Sequence, residues 1–196
     1  MTYKCLSRQK VEEGPYALQP IRQQDMRSIK EWRNDQMDIL RQSGPLSDSD
    51  QERYWLEVVN PGFNLSEPKQ ILLSLLKDEV LIGYGGLVYI DWNARRAEVS
   101  FLLETVRVQN KTLYQEEYAL FLRLLKRIAF EELHFHRLFA ETFDLRPEHI
   151  AVLEKSGFVL EGRMKDHVKI GDRYHDSLIH GCLNSKKIND ENDITI

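Results

Sequence analysis

The chain has 196 residues and 42% hydrophobic content, enough for one domain with a full core and short for two. A formal net charge of −4 and a pI near 5.9 give no global attraction to phosphate polymers, and no local basic patch supplies one, which sets nucleic acid aside as a partner. No apolar run resembles a signal peptide or a membrane span, and Cys5 and Cys182 stand far apart without a CxxC partner, so the expectation is no membrane contact, a reducing cytoplasm and two inert thiols.

Residues 1–14 are polar and charged without periodicity and read as a flexible leader, ahead of a domain spanning 15–183. A first strand is predicted over 16–21, with Pro20 suited to a strand end. Asp25 then precedes a helix carrying Met26, Ile29 and Trp32 at three-residue spacing. Trp32 falls on its apolar face, whereas Arg33 and Asn34 at its end are free to meet an acceptor. Gly44-Pro45 breaks the chain, and Ser49 with Glu52 predicts a capping box for a second helix that ends near Asn60-Pro61-Gly62.

Three strand-like runs follow, at 71–76, 80–90 and 96–103, turned by Asp78-Glu79 and by residues 91–94, and they read as an antiparallel meander. Gly83, Gly85 and Gly86 in the middle run mark a bulge or the close approach of a ligand or a helix. From Thr112 to about His134 the apolar stripe Leu113, Leu120, Leu124, Ile128 and Phe130 predicts a long helix, with Thr112 and Gln115 as its capping box. A strand over 138–143 leads to a short helix opened by Pro147 and stopped at Gly157. The stretch 161–183 reads as a hairpin turned at Gly171-Asp172, and residues 184–196 as a charged, disordered tail.

This order is mixed α/β (α+β): a mostly antiparallel sheet flanked by helices. The ordered string Glu154, Lys155, Gly157, Phe158, Glu161, Gly162, Gly171, Tyr174, Asp176 and Gly181 resembles the C-terminal half of the GNAT-type N-acetyltransferases, in particular the branch that acetylates ribosomal-protein N-terminal amines or amino sugars. Trp32-Arg33-Asn34 is similar to the WRN of the amino-sugar enzymes, and AEVSFLL around Glu98 to the AEIGYxL strand of the N-terminal-amine group. The resemblance covers about residues 16–183. It implies a GNAT fold, acetyl-CoA as co-substrate, no metal, a small-molecule or peptide amine as acceptor, and either a monomer or a homodimer.

The resemblance also assigns residues. Phosphates would be held by the loop 104–112, through Arg107, Gln109, Asn110, Lys111 and Thr112, although this loop lacks the glycines of the family pattern. A left-handed Asn110 would offset part of that loss. Backbone amides at Phe101, Leu102 and Leu103 would meet the acetyl carbonyl oxygen. Glu98, a glutamate inside an apolar strand, is the candidate base for an amine that is mostly protonated near neutral pH. Leu153 stands where relatives place a tyrosine acid, and Arg146 where they place an asparagine on the coenzyme side. His149, with an ordinary pKa near neutrality, is the substitute acid. Residues 40–47 form the candidate specificity loop, with Arg33 and Asn34 beside it. Three departures on the coenzyme side leave open a second reading, a GNAT-shaped binding domain without catalysis, and the donor pocket leaves a longer acyl chain open. No histidine has a metal-ligand spacing.

Overall fold

The computed structural model describes residues 1–184. Eight strands form one sheet: β1 (Val11–Glu13), β2 (Tyr16–Pro20), β3 (Ile71–Lys77), β4 (Val80–Asp91), β5 (Arg96–Leu103), β6 (Arg137–Phe143), β7 (Val159–Ile170) and β8 (Arg173–Leu183). Their order is β1-β2-β3-β4-β5-β6-β8-β7. Every neighbouring pair is antiparallel except β5 and β6. Six helices accompany them: α1 (Met26–Asp35), α2 (Asp48–Tyr54), α3 (Asn60–Gly62), α4 (Thr105–Val108), α5 (Lys111–Lys126) and α6 (Pro147–Lys155).

Local chemistry explains most of the joints. Asp78 and Glu79 both take positive φ, 49° and 63°, as the two-residue turn between β3 and β4 requires. Gly157, at φ 82°, stops α6, and the Phe158 amide reaches back to the Leu153 carbonyl at 3.0 Å. The glycines of β4 answer the question of what approaches: a Cβ on Gly85 would lie 2.1 Å from the Ser100 carbonyl oxygen and 2.8 Å from the Phe121 ring. A packed strand and helix come close there.

Successive side chains of β5 point to opposite faces. Phe101 stacks on Tyr118 of α5 with ring centroids 4.5 Å apart and touches Phe121, while Glu98 and Ser100 face the side occupied by α1 and the connection after it. The parallel pairing of β5 with β6 is short, Arg96 to Arg137, Ala97 to Leu138 and Glu98 to Phe139. Beyond Glu98 the two strands part. The sheet is forked there, and the site lies in the fork.

Several boundaries differ from the sequence reading. The leader is packed rather than loose: Tyr3, Leu6 and Val11 are buried, the Leu72 amide donates to the Tyr3 hydroxyl at 2.9 Å, and β1 pairs with β2. Isolated apolar residues at irregular spacing anchor it, a pattern that periodicity does not register. The second helix is capped by Ser47 with Asp50, not Ser49 with Glu52, and it continues through a wide turn at Trp55–Val59. The long helix starts one residue earlier than expected and is capped by Asn110, not Thr112. Asn184 belongs to the fold, its side chain donating to the Phe135 carbonyl at 3.1 Å, and the remainder of the expected tail, 185–196, lies outside the described residues. Burial pushes the Cys5 thiol up to about 11, so it stays protonated.

Candidate active site

The fork is lined by Glu98, Ser100 and Phe101 of β5, Glu141 and Phe143 of β6, Arg146 and His149 at the start of α6, and Arg41 of the connection after α1. Glu98 is buried. It forms an ion pair with Arg41 and accepts a hydrogen bond from the backbone amide of Glu141. Burial pushes its carboxyl above the usual range and Glu141 pushes the same way, while Arg41 pulls it back. Arg41 also reaches Glu141 Oε2 at 3.1 Å, and the second oxygen of Glu141 accepts from the Ser177 hydroxyl at 2.7 Å. Arg96, the other cation near Glu98 in sequence, pairs with Asp91 instead.

Backbone direction supplies a further element. The Glu104 amide donates to the Ile82 carbonyl on β4 at 2.9 Å, so by two-residue alternation the polar groups of Leu103 and Phe101 turn the other way, into the fork. The Leu103 carbonyl there accepts from Gln36 Nε2 at 2.9 Å, and Leu102 faces β4. Of the three backbone positions expected to meet the acetyl oxygen, Phe101 and Leu103 thus turn toward the fork and Leu102 turns toward β4.

The coenzyme side is built differently from expectation. The glycine-free loop folds into the single turn α4, whose Arg107 and Val108 amides are taken by the Glu104 carbonyl and whose Asn110 amide is taken by the Arg107 carbonyl. Arg107 is not a mobile cation: it donates to Glu104 at 3.1 Å and to the buried Glu117 at 2.6 Å. Asn110 is extended, at φ −93°, not left-handed, because its side chain is occupied in accepting from the Leu113 amide. Gln109, Asn110, Lys111 and Thr112 are exposed at the start of α5, and the first helical amides there have no partner within the helix. Lys111 forms an ion pair with Glu148 across the gap to α6.

His149 is enclosed. Its Nδ1 lies 2.7 Å from the Tyr114 hydroxyl and its Nε2 3.0 Å from that of Tyr118, on whose ring it stacks. Arg146 donates to the Tyr114 hydroxyl at 2.8 Å. Burial, the Arg146 charge and then His180 hold His149 well below its ordinary pKa, so it is neutral near pH 7 and does not offer the near-neutral proton donor that the sequence suggested. A histidine in a helix start gives no sign of whether it faces solvent or two tyrosines.

On the acceptor side, a cavity of about 480 Å³ is lined by Arg33, Asp50, Tyr54, Glu57, Tyr84 and Ser100, among others. Arg33 donates to the Tyr84 hydroxyl at 2.7 Å and to Gln42 at 3.0 Å. Asn34 is structural, because its amide exchanges hydrogen bonds with the Leu46 backbone, at 2.9 and 2.8 Å, and pins the specificity loop. Sequence reasoning missed Glu141 and Arg41. Glu141 carried the same signal that exposed Glu98, a glutamate inside an apolar strand, and Arg41 lay inside the candidate loop. No His, Cys, Asp and Glu grouping suited to a metal occurs among the described residues, and no helix among them is long and apolar enough to cross a membrane.

A forked, mostly antiparallel sheet with a buried carboxylate in the fork and a helix start beside it defines the class, and residues 18–179 match the acetyltransferase (GNAT) domain family. The chain belongs to that family and is an N-acetyltransferase that draws on acetyl-CoA. No curated protein sequence matches it. Among solved structures it is similar to the spermidine N-acetyltransferase of Vibrio cholerae in complex with CoA and spermine, with 20% identity over 90% of this chain and 100% of that one and a TM-score of 0.76. A chimera of that enzyme with hSSAT gives 20% identity, 90% and 99% coverage and a TM-score of 0.74. A probable acetyltransferase gives 20%, 90% and 98%, and 0.68. Likeness at this identity shows the fold, and it does not single out the ribosomal-protein or amino-sugar branch.

Proposed function

We propose that this acetyltransferase acts on the primary amine of a small polycationic acceptor of the polyamine type. The observation that carries the reading is the pair Glu98 and Glu141 at the fork, two carboxylates around one arginine, which leave a negative surplus where an amine nitrogen has to arrive. Glu57, which lines both the acceptor cavity and the open groove beside it, supplies a further carboxylate for a second ammonium group. The spermidine enzymes that share the fold lend support. The amino-sugar reading leaned on Trp32-Arg33-Asn34, and that motif loses its weight: Trp32 is core and Asn34 holds a loop.

Alkyl amines have pKa values around 10, so the acceptor arrives as an ammonium ion. Glu98 receives it by charge and takes its proton, and its raised pKa makes it a better base than an exposed carboxylate. The Phe101 amide, fixed by β5, donates toward the carbonyl oxygen on which charge develops. Acetyl-CoA supplies the acetyl group as a thioester. Gln109, Asn110, Lys111 and Thr112 would hold its phosphates at the α5 start, with Arg146 beside the chain that leads into the fork. The single-turn α4 leaves fewer free amides than a glycine loop would, and the exposed Lys111 adds a weak ionic contact beside them. Free thiols fit a reducing cytoplasm.

The test is thiol release from acetyl-CoA with spermidine, glucosamine and an alanine-initiated peptide supplied in parallel. The expected result is the highest kcat/KM for spermidine. Release with glucosamine or the peptide alone would overturn the acceptor reading. Calorimetric binding of acetyl-CoA without transfer to any amine would favour a binding domain, and faster transfer from longer acyl-CoAs would change the donor.

A further inference from the structure

Arg41 comes from an irregular connection rather than from a helix or strand, and its side chain is 43% exposed, yet it ends between two carboxylates that are 5% and 16% exposed. Its guanidinium carbon lies 5.5 Å from the centre of the Tyr89 ring. Tyr89 is itself unusual, at φ 47° in the irregular stretch of β4 opposite β5, where the register shifts between Val88 and Asp91. A tyrosine in the left-handed region is strained, and here the strained backbone presents an exposed ring to the mouth of the fork. Two carboxylates and one aromatic face make a box for a cation. The box is walled by the sheet, and its present occupant reaches in from a loop.

We propose that Arg41 occupies the seat of the acceptor's ammonium group and is an internal competitor that the acceptor displaces. The proposal rests on the reading of Glu98 and Glu141 as the amine site and adds to it the ring of Tyr89 as the third wall and Arg41 as the occupant. A tethered side chain competes at an effective concentration of millimolar order, so the seat is open to a free amine for only a fraction of the time, and apparent affinity is reduced by that fraction. A dication or polycation, which gains a second contact outside the seat, overcomes the tethered rival more readily than a monoamine does. Arg41 is thereby a specificity residue: it filters acceptors by charge number.

The test replaces Arg41 by Ala and, in parallel, by Gln, which keeps part of the stem if the loop needs it. With propylamine as acceptor, KM is expected to fall about tenfold in either variant, and less so for spermidine, so that the preference for the polyamine narrows. Added guanidinium ion is expected to compete with propylamine in Arg41→Ala and to have little effect on the wild type. An unchanged or raised KM for propylamine, or rescue of the variant by guanidinium, would overturn the proposal and make Arg41 a residue that positions Glu98. A second readout does not depend on transfer: in NMR titrations, guanidinium should bind Arg41→Ala, and bind neither the wild type nor the double variant Arg41→Ala, Glu98→Gln. Equal binding to wild type and Arg41→Ala overturns the occupied seat. Binding to Arg41→Ala alone, with no amine acetylated by any form, upholds the seat and overturns the acceptor assignment.

Discussion

Arg41 and Arg107 each bridge two carboxylates, and they do different things. Arg41 spans Glu98 and Glu141 at the fork; Arg107 spans Glu104 and Glu117 where α4 meets α5. Arg107 is the more enclosed of the two, 23% exposed against 43%. Its inner partner Glu117 projects from a core helix, with one carboxylate oxygen buried and unpartnered. The carboxylates of Arg41 instead line a cavity beneath an exposed aromatic ring. The same constellation is structural when it joins two helices and chemical when it borders empty space. Residue identity and spacing do not distinguish the two cases. The surroundings of the carboxylates do.

The comparison can be broken by mutation. The largest effect is expected at Glu98: Glu98→Gln should lower kcat/KM for the amine by about 10²- to 10⁴-fold, with calorimetric affinity for acetyl-CoA retained. Loss of coenzyme binding in that variant would place Glu98 on the structural side. Arg107→Ala should lower stability by about 3 kcal/mol in urea denaturation, because it strands the buried Glu117 charge, and Arg107→Ala with Glu117→Gln should recover much of it. Equal stability of Arg107→Ala and wild type would show that this pair is merely superficial.

His149→Phe keeps the stacking on Tyr118 and removes two buried hydrogen bonds. It should cost about 2 kcal/mol of stability while kcat changes by no more than about twofold, since a neutral, enclosed imidazole holds structure rather than supplying protons. A collapse of kcat at full stability would restore the acid role. The smallest effect is expected at Lys111, 77% exposed and paired with Glu148: Lys111→Ala should weaken acetyl-CoA binding about threefold, the scale of a solvent-exposed ionic contact, with the difference vanishing at high salt.

The fold was largely legible because its signals are local. Asp78-Glu79 turned, Gly157 stopped a helix, and the strand expected over 96–103 has those bounds. The leader was misread because Tyr3 is fixed by a strand 69 residues away, a contact that no window contains. Glu98 was legible because a charge inside an apolar strand demands a reason, and Glu141 would have yielded to the same question. The coenzyme side was harder. Whether Arg107 meets phosphate or Glu117, and whether His149 meets solvent or two tyrosines, depends on where α5 lies against its neighbours, and identical residues in identical order serve either outcome.

The most direct measurement of the central claim is the pH dependence of kcat/KM for spermidine in the wild type and in Arg41→Gln. Glu98 is raised by burial and by Glu141, which itself lies 3.8 Å from His167, and is held down by Arg41. A base must be unprotonated to act, so activity should fall as pH drops through a limb above the ordinary glutamate value of about 4.3, and that limb should move higher still in Arg41→Gln. A limb at the ordinary value, one that moves down when Arg41 is removed, or one that persists unchanged in Glu98→Gln would contradict the assignment of the fork as the amine site.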